Sequence, residues 1–325
     1  MNAIVRARDL AVDYTMPGGV VRALDGASFE LLPGRSLGLV GESGSGKSTL
    51  GLAIGRLLPA NVRHAAGDLE VDGRSVFALD DEGIRALRRT SLGFVFQSPM
   101  AALDPTMRIG RQITLACGGQ PDVGRVPELL QQVGLPKGAA RAWPHELSGG
   151  MAQRAVIAMA IARRPRLLVA DEPTAALDTS LRAQILDLLV ALKNETGSAL
   201  VLLSHELPVV ARVCEIIGVM YGGRVVELGD SAGVFSRPLH PYSRALLATA
   251  HDGARPGERL APIPGMPPVL SGPASGCSFA PRCAFADERC RSERPPLRPI
   301  GGRLAACHHA DGTAPERGSG MSSGM

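Results

Sequence analysis

The chain has 325 residues, 45% hydrophobic and 20% charged, which supplies enough apolar material for a core and excludes disorder for its bulk. Aromatic residues make up only 3% and the formal net charge is +4, which excludes base-stacking strips and a phosphate-backbone footprint, so no nucleic-acid partner is expected. No apolar run reaches the roughly eighteen residues needed to span a bilayer, and MNAIVRARDL lacks the apolar stretch of a secretory leader.

In chain order, SLGLV at Ser36–Val40 predicts a short buried strand, and a helix is expected from Lys47 to Leu58. The stretch from about Ser98 to Arg154 reads as helices and loops lying beside the sheet. LLVA at Leu167–Ala170 predicts a second strand, followed by a helix over about Ser180–Lys193. ALVLL at Ala199–Leu203 and IIGVMY at Ile216–Tyr221 predict two more strands. Buried strands separated by helices imply a mainly parallel sheet covered on both faces. From about Gly253 the sequence turns Pro- and Gly-rich, as in ARPGERLAPIPGMPPVLSGP, and reads as a linker or irregular appendage. Four of the six cysteines lie beyond it, and residues 313–325 read as a disordered tail.

GESGSGKST, Gly41 to Thr49, falls directly between a strand and a helix and fits G-x-x-x-x-G-K-[ST] at Gly41, Gly46, Lys47 and Ser48. Glycines let the backbone curl so that its N–H groups, from Gly41 through Ser43, Gly44, Ser45 and Gly46 to Thr49, face phosphate oxygens at a helix N-terminus. Lys47 would reach the β- and γ-phosphates of a nucleotide, and the Ser48 hydroxyl would ligate Mg²⁺. Asp171 and Glu172 end an apolar strand, where two carboxylates are costly unless they hold a cation or a water. Asp171 suits the Mg²⁺ shell, and Glu172 suits a general base. LSGGM places Ser148, Gly149 and Gly150 at the start of an apolar helix, a second anion site.

In this order and spacing the motifs resemble those of an ABC transporter nucleotide-binding subunit over nearly the whole chain. GESGSGKST resembles the family's Walker A, LLVADE its Walker B and LSGGM its signature motif. Gln97 in FVFQSP is placed like the Q-loop glutamine, Leu177–Asp178 like the D-loop, His205 like the switch histidine and Tyr14 like the aromatic residue that stacks on adenine. The resemblance implies a P-loop ABC cassette of α/β class over residues 1–252. It has a mainly parallel sheet core, an antiparallel β part and a helical subdomain at about 98–155. It implies catalytic roles for Glu172, His205 and Gln97, with Gln97 also joining Ser48 and Asp171 at Mg²⁺. Two cassettes would sandwich two ATP molecules, with Ser148–Gly150 and Asp178 serving the nucleotide on the partner. Ala152 departs from the family's common Arg just beyond the signature motif.

FQSPMAALDPTMRIGRQI, HPYSRALL at His240–Leu247, IPGMPP and GCSFAPRCAFADERC resemble the peptide and nickel importer group. That resemblance implies import of di- or oligopeptides, with nickel or another small solute as an alternative. The implied partners are a second, paralogous ATPase in a heterodimer, two transmembrane permease subunits and an extracytoplasmic binding protein. The implied place is peripheral, on the cytoplasmic face of the membrane. An ATPase of a soluble assembly is the other alternative, and the four-cysteine extension over residues 253–312 argues against it. Cys277, Cys283, Cys290 and Cys307 are spaced x5, x6 and x16 without the short knuckle usual for zinc. An iron–sulfur cluster, expected as 4Fe-4S, accepts such spacing; zinc and unmetallated thiols stay open. His308 and His309 are alternative ligands or solvated residues, and Cys117 and Cys214 read as packing residues.

Overall fold

The computed structural model describes residues 2–119, 124–175, 177–249 and 263–310. The expected tail at 313–325 lies outside the described residues, as does the part of the expected linker from about Gly253 up to residue 262. Two long strands, β1 (Val5–Met16) and β2 (Gly19–Leu31), pair antiparallel. They are followed by β3 (Ser36–Val40), α1 (Lys47–Ile54), β4 (Val62–Val71), β5 (Arg74–Ser75), α2 (Asp81–Thr90) and β6 (Leu92–Val95). A helical segment comes next: α3 (Pro99–Ala102), α4 (Ile109–Ala116), α5 (Arg125–Gln132) and α6 (Gly149–Ile161). The core then continues with β7 (Leu167–Asp171), α7 (Thr179–Thr196), β8 (Ala199–Ser204), α8 (Leu207–Val213), β9 (Ile216–Tyr221) and β10 (Arg224–Asp230). The remaining elements are α9 (Ser231–Ser236), α10 (Pro241–Thr249), α11 (Glu288–Ser292), β11 (Arg298–Ile300) and β12 (Arg303–Ala305).

The eight-stranded sheet runs in the order β11-β12-β10-β9-β3-β8-β7-β6. β3, β7 and β8 are buried at every residue, so they read as continuous apolar runs rather than alternating ones. β6, β7, β8, β3 and β9 run parallel. All three loops that carry motifs after β3, β7 and β8 therefore emerge at one edge of the sheet, where ligands bind in open α/β folds. The second sheet, β2-β1-β4-β5, is antiparallel and lies apart from this order.

Two expectations are corrected. The helix after the glycine-rich loop stops at Ile54 rather than Leu58, because Gly55 caps it and Arg56 turns the chain at φ +48°. Arg88 from α2 secures that turn by donating to the carbonyls of Gly55 (2.8 Å) and Arg56 (2.6 Å). The C-terminal part is also not merely an irregular appendage. β12 pairs antiparallel with β10, Glu227 opposite Ala305 and Leu228 opposite Leu304, and β11 follows it, so the extension continues the main sheet.

Candidate nucleotide site

The loop between β3 and α1 is tightly constrained. A Cβ at Gly41 would lie 2.3 Å from the Met220 carbonyl oxygen. Gly46 has φ +101°, and a Cβ there would come within 2.6 Å of the Ala23 carbonyl oxygen. Glycine is needed at both positions so that the backbone can curl this closely. Lys47 starts α1 and is buried, and its Nζ donates to the carbonyls of Gly41 (2.7 Å) and Glu42 (3.0 Å) and to Ser45 Oγ (3.3 Å). Burial pushes the Lys47 ammonium below the usual lysine range, while Glu172, Asp171 and Glu42 oppose that shift. A triphosphate offers this desolvated cation stronger partners than two carbonyls.

Ser48 Oγ donates to Asp171 Oδ1 at 3.1 Å, which joins the start of α1 to the end of β7. Burial raises the Asp171 carboxyl, and the Ser48 hydrogen bond partly offsets that. Glu172 follows with φ +43°, a strained conformation for a non-glycine residue that aims its carboxylate into the cleft. Gln97 Nε2 donates to Glu172 Oε2 at 3.2 Å, and His205 Nδ1 lies 3.1 Å from Glu172 Oε1. Three loops, following β6, β7 and β8, thus converge on one carboxylate. A hydroxyl, a carboxylate and a glutamine amide form the hard-oxygen set that suits magnesium.

The cleft around these groups has a volume of about 1070 Å³ and is lined by Tyr14, the loop from Gly41 to Thr49, Gln97, Glu172 and His205. Tyr14 Oη sits 3.2 Å from Thr49 Oγ1, which fixes the ring of β1 beside α1. Ser148, Gly149 and Gly150 do not line the cleft. Ser148 caps α6 by accepting from the Met151 N–H at 3.3 Å. Asp178 lies outside the cleft as well, exposed, capping α7 by accepting from the Leu181 N–H at 3.0 Å. Ala152 is fully buried one turn into α6.

Sequence reasoning missed several residues here. Val21, Arg22 and Ala23 of β2 line the cleft, as do Pro267 to Leu270 from the C-terminal extension. It also missed Arg282, whose guanidinium binds both carboxylate oxygens of Glu42, the second residue of the phosphate loop. The only sequence signal for that pairing was the Arg directly before Cys283, and nothing local linked it to Glu42, 240 residues away.

Residues 24–175 match the family model described as ABC transporter, and residues 226–290 match that described as oligopeptide/dipeptide transporter, C-terminal region. The chain is 42% identical to the dipeptide transport ATP-binding protein DppD of Escherichia coli (strain K12), over 94% of this chain and 97% of that one. The oligopeptide transport ATP-binding protein OppD of the same organism is 41% identical over 94% of this chain and 93% of its own. The chain belongs to the ABC transporter ATP-binding family. A solved dimeric bacterial ABC transporter cassette superposes on it with a TM-score of 0.63 at 30% identity, covering 70% of this chain and 98% of that one. This ABC cassette is an ATPase subunit of the transport type, and ATP with Mg²⁺ is what its cleft is built to take.

A second site occupies the extension. Cys277, Cys283, Cys290 and Cys307 all line one small cavity together with His240, Phe279, His308 and His309. Burial raises all four thiols, Cys290 and Cys307 to about 11. His309 is not solvated: its Nε2 lies 3.6 Å from Cys290 Sγ and 3.2 Å from Asp287 Oδ2. His308 instead lies against the Glu293 carbonyl at 3.0 Å. Cys214 is buried in the main core, and Cys117 packs against it.

Proposed function

We propose that this chain hydrolyses ATP to power import of di- or oligopeptides. It would act as a peripheral subunit on the cytoplasmic face of a membrane transporter. The observation that carries this reading is the joint match to the cassette and to the oligopeptide/dipeptide C-terminal region on one chain, together with relatives named for dipeptide and oligopeptide transport. In this reading residues 1–252 form the cassette and 253–312 the extension. Among the described residues no helix is long and apolar enough to cross a membrane, so the reading requires permease partners. It also takes an extracytoplasmic binding protein for cargo selection and a paralogous ATPase as the second half of the dimer.

Glu172 acts as the general base that polarises the attacking water, and Gln97 and His205 hold its carboxylate in place at 3.2 and 3.1 Å. Lys47 and the loop N–H groups hold the phosphates, and Tyr14 stacks on the base. Mg²⁺ bound by Ser48, Asp171 and Gln97 would neutralise the developing charge on the phosphates. Ser148 to Gly150 and Asp178 stand away from this chain's own cleft, which leaves them for a nucleotide held by the opposing cassette. A groove of about 320 Å³ between β6 and α6, edged by Phe94, Phe96 and Met159, offers an apolar seat for a permease segment. Phe96 is exposed there, as is nearby Met100.

For the extension we favour an iron–sulfur cluster held by Cys277, Cys283, Cys290 and Cys307. The four cysteines lack the short Cys-x2–4-Cys knuckle usual for tetrathiolate zinc, and an all-cysteine iron–sulfur cluster accepts such varied spacing. Asp287, Cys290 and His309 also bring one ligand atom each within 4.8 Å of one another, which favours a single ion as the second reading. Bound there, the cluster would tie the loop, α11 and β12 into one unit.

The test is uptake of labelled dipeptide, a longer peptide and nickel in cells with and without the gene. Loss of peptide uptake supports the reading. Loss of nickel uptake alone moves the cargo to a cation, and unchanged uptake of all three refutes peptide import.

A further inference from the structure

Arg282 ends a short helical turn, Ala280–Arg282, and only 4% of its side chain is exposed. Its Nη1 donates to Glu42 Oε2 at 2.7 Å and its Nη2 to Glu42 Oε1 at 3.0 Å. The same guanidinium donates to the carbonyls of Pro264 (2.7 Å) and Ile263 (3.1 Å) and stands 5.7 Å from the Tyr221 ring centroid. A planar fork with five donors can bind a carboxylate bidentately and still serve two carbonyls, which lysine cannot do.

Glu42 is tied to the phosphate loop by its backbone. Its N–H donates to Tyr242 Oη at 2.8 Å, and its carbonyl accepts from Lys47 Nζ at 3.0 Å. The segment that Arg282 holds at Ile263 and Pro264 runs on to Pro267–Leu270, which walls the same cleft. Its far end is fixed to β2, where the Arg22 N–H donates to the Leu270 carbonyl at 2.7 Å. One buried cation therefore braces two walls of the nucleotide cleft, and it also neutralises a carboxylate carried within the loop that receives phosphate.

We propose that Arg282 is a positioning residue for nucleotide binding, which makes the C-terminal extension a working part of the ATP site. The inference rests on the nucleotide-binding reading of the cleft. Arg282 acts through Glu42 and the Ile263–Leu270 segment, and it does not itself line the cleft. Without it, Glu42 presents an unpaired negative charge beside the phosphates, and the Pro267–Leu270 wall is left held at its β2 end alone.

The experiment measures the Kd of a fluorescent ATP analogue on the full-length chain, with a thermal melt of every variant. Arg282→Gln is expected to weaken binding about tenfold, the scale of one lost charge-assisted hydrogen-bonded contact. The double variant Arg282→Gln/Glu42→Gln removes the stranded charge and is expected to recover to within about threefold of wild type. A purely architectural role predicts no such recovery. Arg282→Lys keeps the charge but loses the fork, and about a threefold loss is expected. Binding within twofold of wild type in folded Arg282→Gln overturns the proposal. A double variant as weak as the single also overturns it. Should Arg282→Gln fail to fold, unchanged affinity in Arg282→Lys overturns it instead. Failure of the wild-type chain to bind the analogue removes the nucleotide reading itself, an outcome distinct from the others.

Discussion

Ser48 Oγ and Asp171 Oδ1 meet at 3.1 Å although 123 positions separate them in the chain. The contact joins the first turn of α1 to the end of β7, so the hydroxyl and the carboxylate that would share Mg²⁺ are in place before any cation arrives. Burial holds the Asp171 carboxyl above its ordinary range. As pH falls into that raised range the carboxyl takes up a proton, which a cation must displace. The magnesium concentration needed for half-maximal ATPase activity is therefore expected to rise as the medium becomes more acidic. Asp171→Asn should raise that requirement at every pH and abolish its pH slope at this site. Magnesium titrations of ATPase activity at several pH values check this.

Glu172 is expected to be dispensable for binding and needed for turnover. Its carboxylate faces the cleft between Gln97 and His205, while the phosphate contacts proposed above lie on the Gly41–Thr49 loop. Glu172→Gln keeps the shape and can still hydrogen-bond, but it cannot take a proton. Turnover should fall by about 10²–10⁴, with ATP affinity within about twofold of wild type. Single-turnover hydrolysis alongside equilibrium nucleotide binding separates the two quantities.

The legibility of this molecule from sequence followed the range of the interactions involved. β3 and β8 announce themselves because two-sided burial forces unbroken apolar runs such as SLGLV and ALVLL. The glycine-rich loop is readable because Gly41 and Gly46 answer local steric demands. Glu172 is readable from the apolar strand that leads into it, but Gln97 and His205 carry no local signature; only their order along the chain, compared with a family pattern, placed them beside it. The end of α1 was misjudged because Leu57 and Leu58 continue the apolar run, while Arg88, thirty-odd residues later, holds the turn that stops the helix. The docking of the extension was equally hidden. β12 is three residues long, too short for a periodicity, and Arg282 and Arg303 look like surface arginines until their carboxylate partners are seen.

The four thiols should respond as a unit. They approach one cavity from the Ala280 turn, α11 and the end of β12, so a shared metal centre would crosslink three short elements with little apolar core of their own. Cys283→Ser is expected to remove most of the bound iron and the visible absorbance of the purified protein. It should also speed proteolysis beyond about residue 272. Iron content equal to wild type would remove Cys283 from the ligand set, and zinc in place of iron would reassign the centre.

Arg303 of β12 and Glu227 of β10 form a buried ion pair at 3.1 Å, with side-chain exposures of 9% and 0%. Glu227 also accepts from the N–H groups of Leu239 and His240, each at 2.9 Å. Removing the cation strands a buried carboxylate on two backbone donors. Arg303→Ala is expected to cost about 3–5 kcal/mol, seen as a shift in the urea midpoint at constant m-value. Arg303→Met with Glu227→Gln should recover much of that loss, because the buried charge is removed together with its partner.

His240 adds a pH dependence of predictable sign. The ring is fully enclosed, its Nδ1 accepts from the Tyr242 N–H at 3.0 Å, and the Phe279 ring lies tilted beside it at a centroid distance of 5.9 Å. Burial first, and then the charges of Arg244 and Arg224, push its pKa down to about 3. In the unfolded chain the imidazole titrates near 6.5, so between about pH 6.5 and about pH 3 the unfolded state binds a proton that the folded state refuses. Stability therefore rises with pH through that window, by up to about 1.4 kcal/mol per pH unit from this residue, and the contribution is flat above it. His240→Gln retains an acceptor for the Tyr242 N–H without a titrating ring. It should flatten the acid limb of the stability curve while leaving the slope above about pH 7 unchanged. Urea unfolding at intervals of pH on both proteins decides it: identical acid limbs would place the acid sensitivity in other groups.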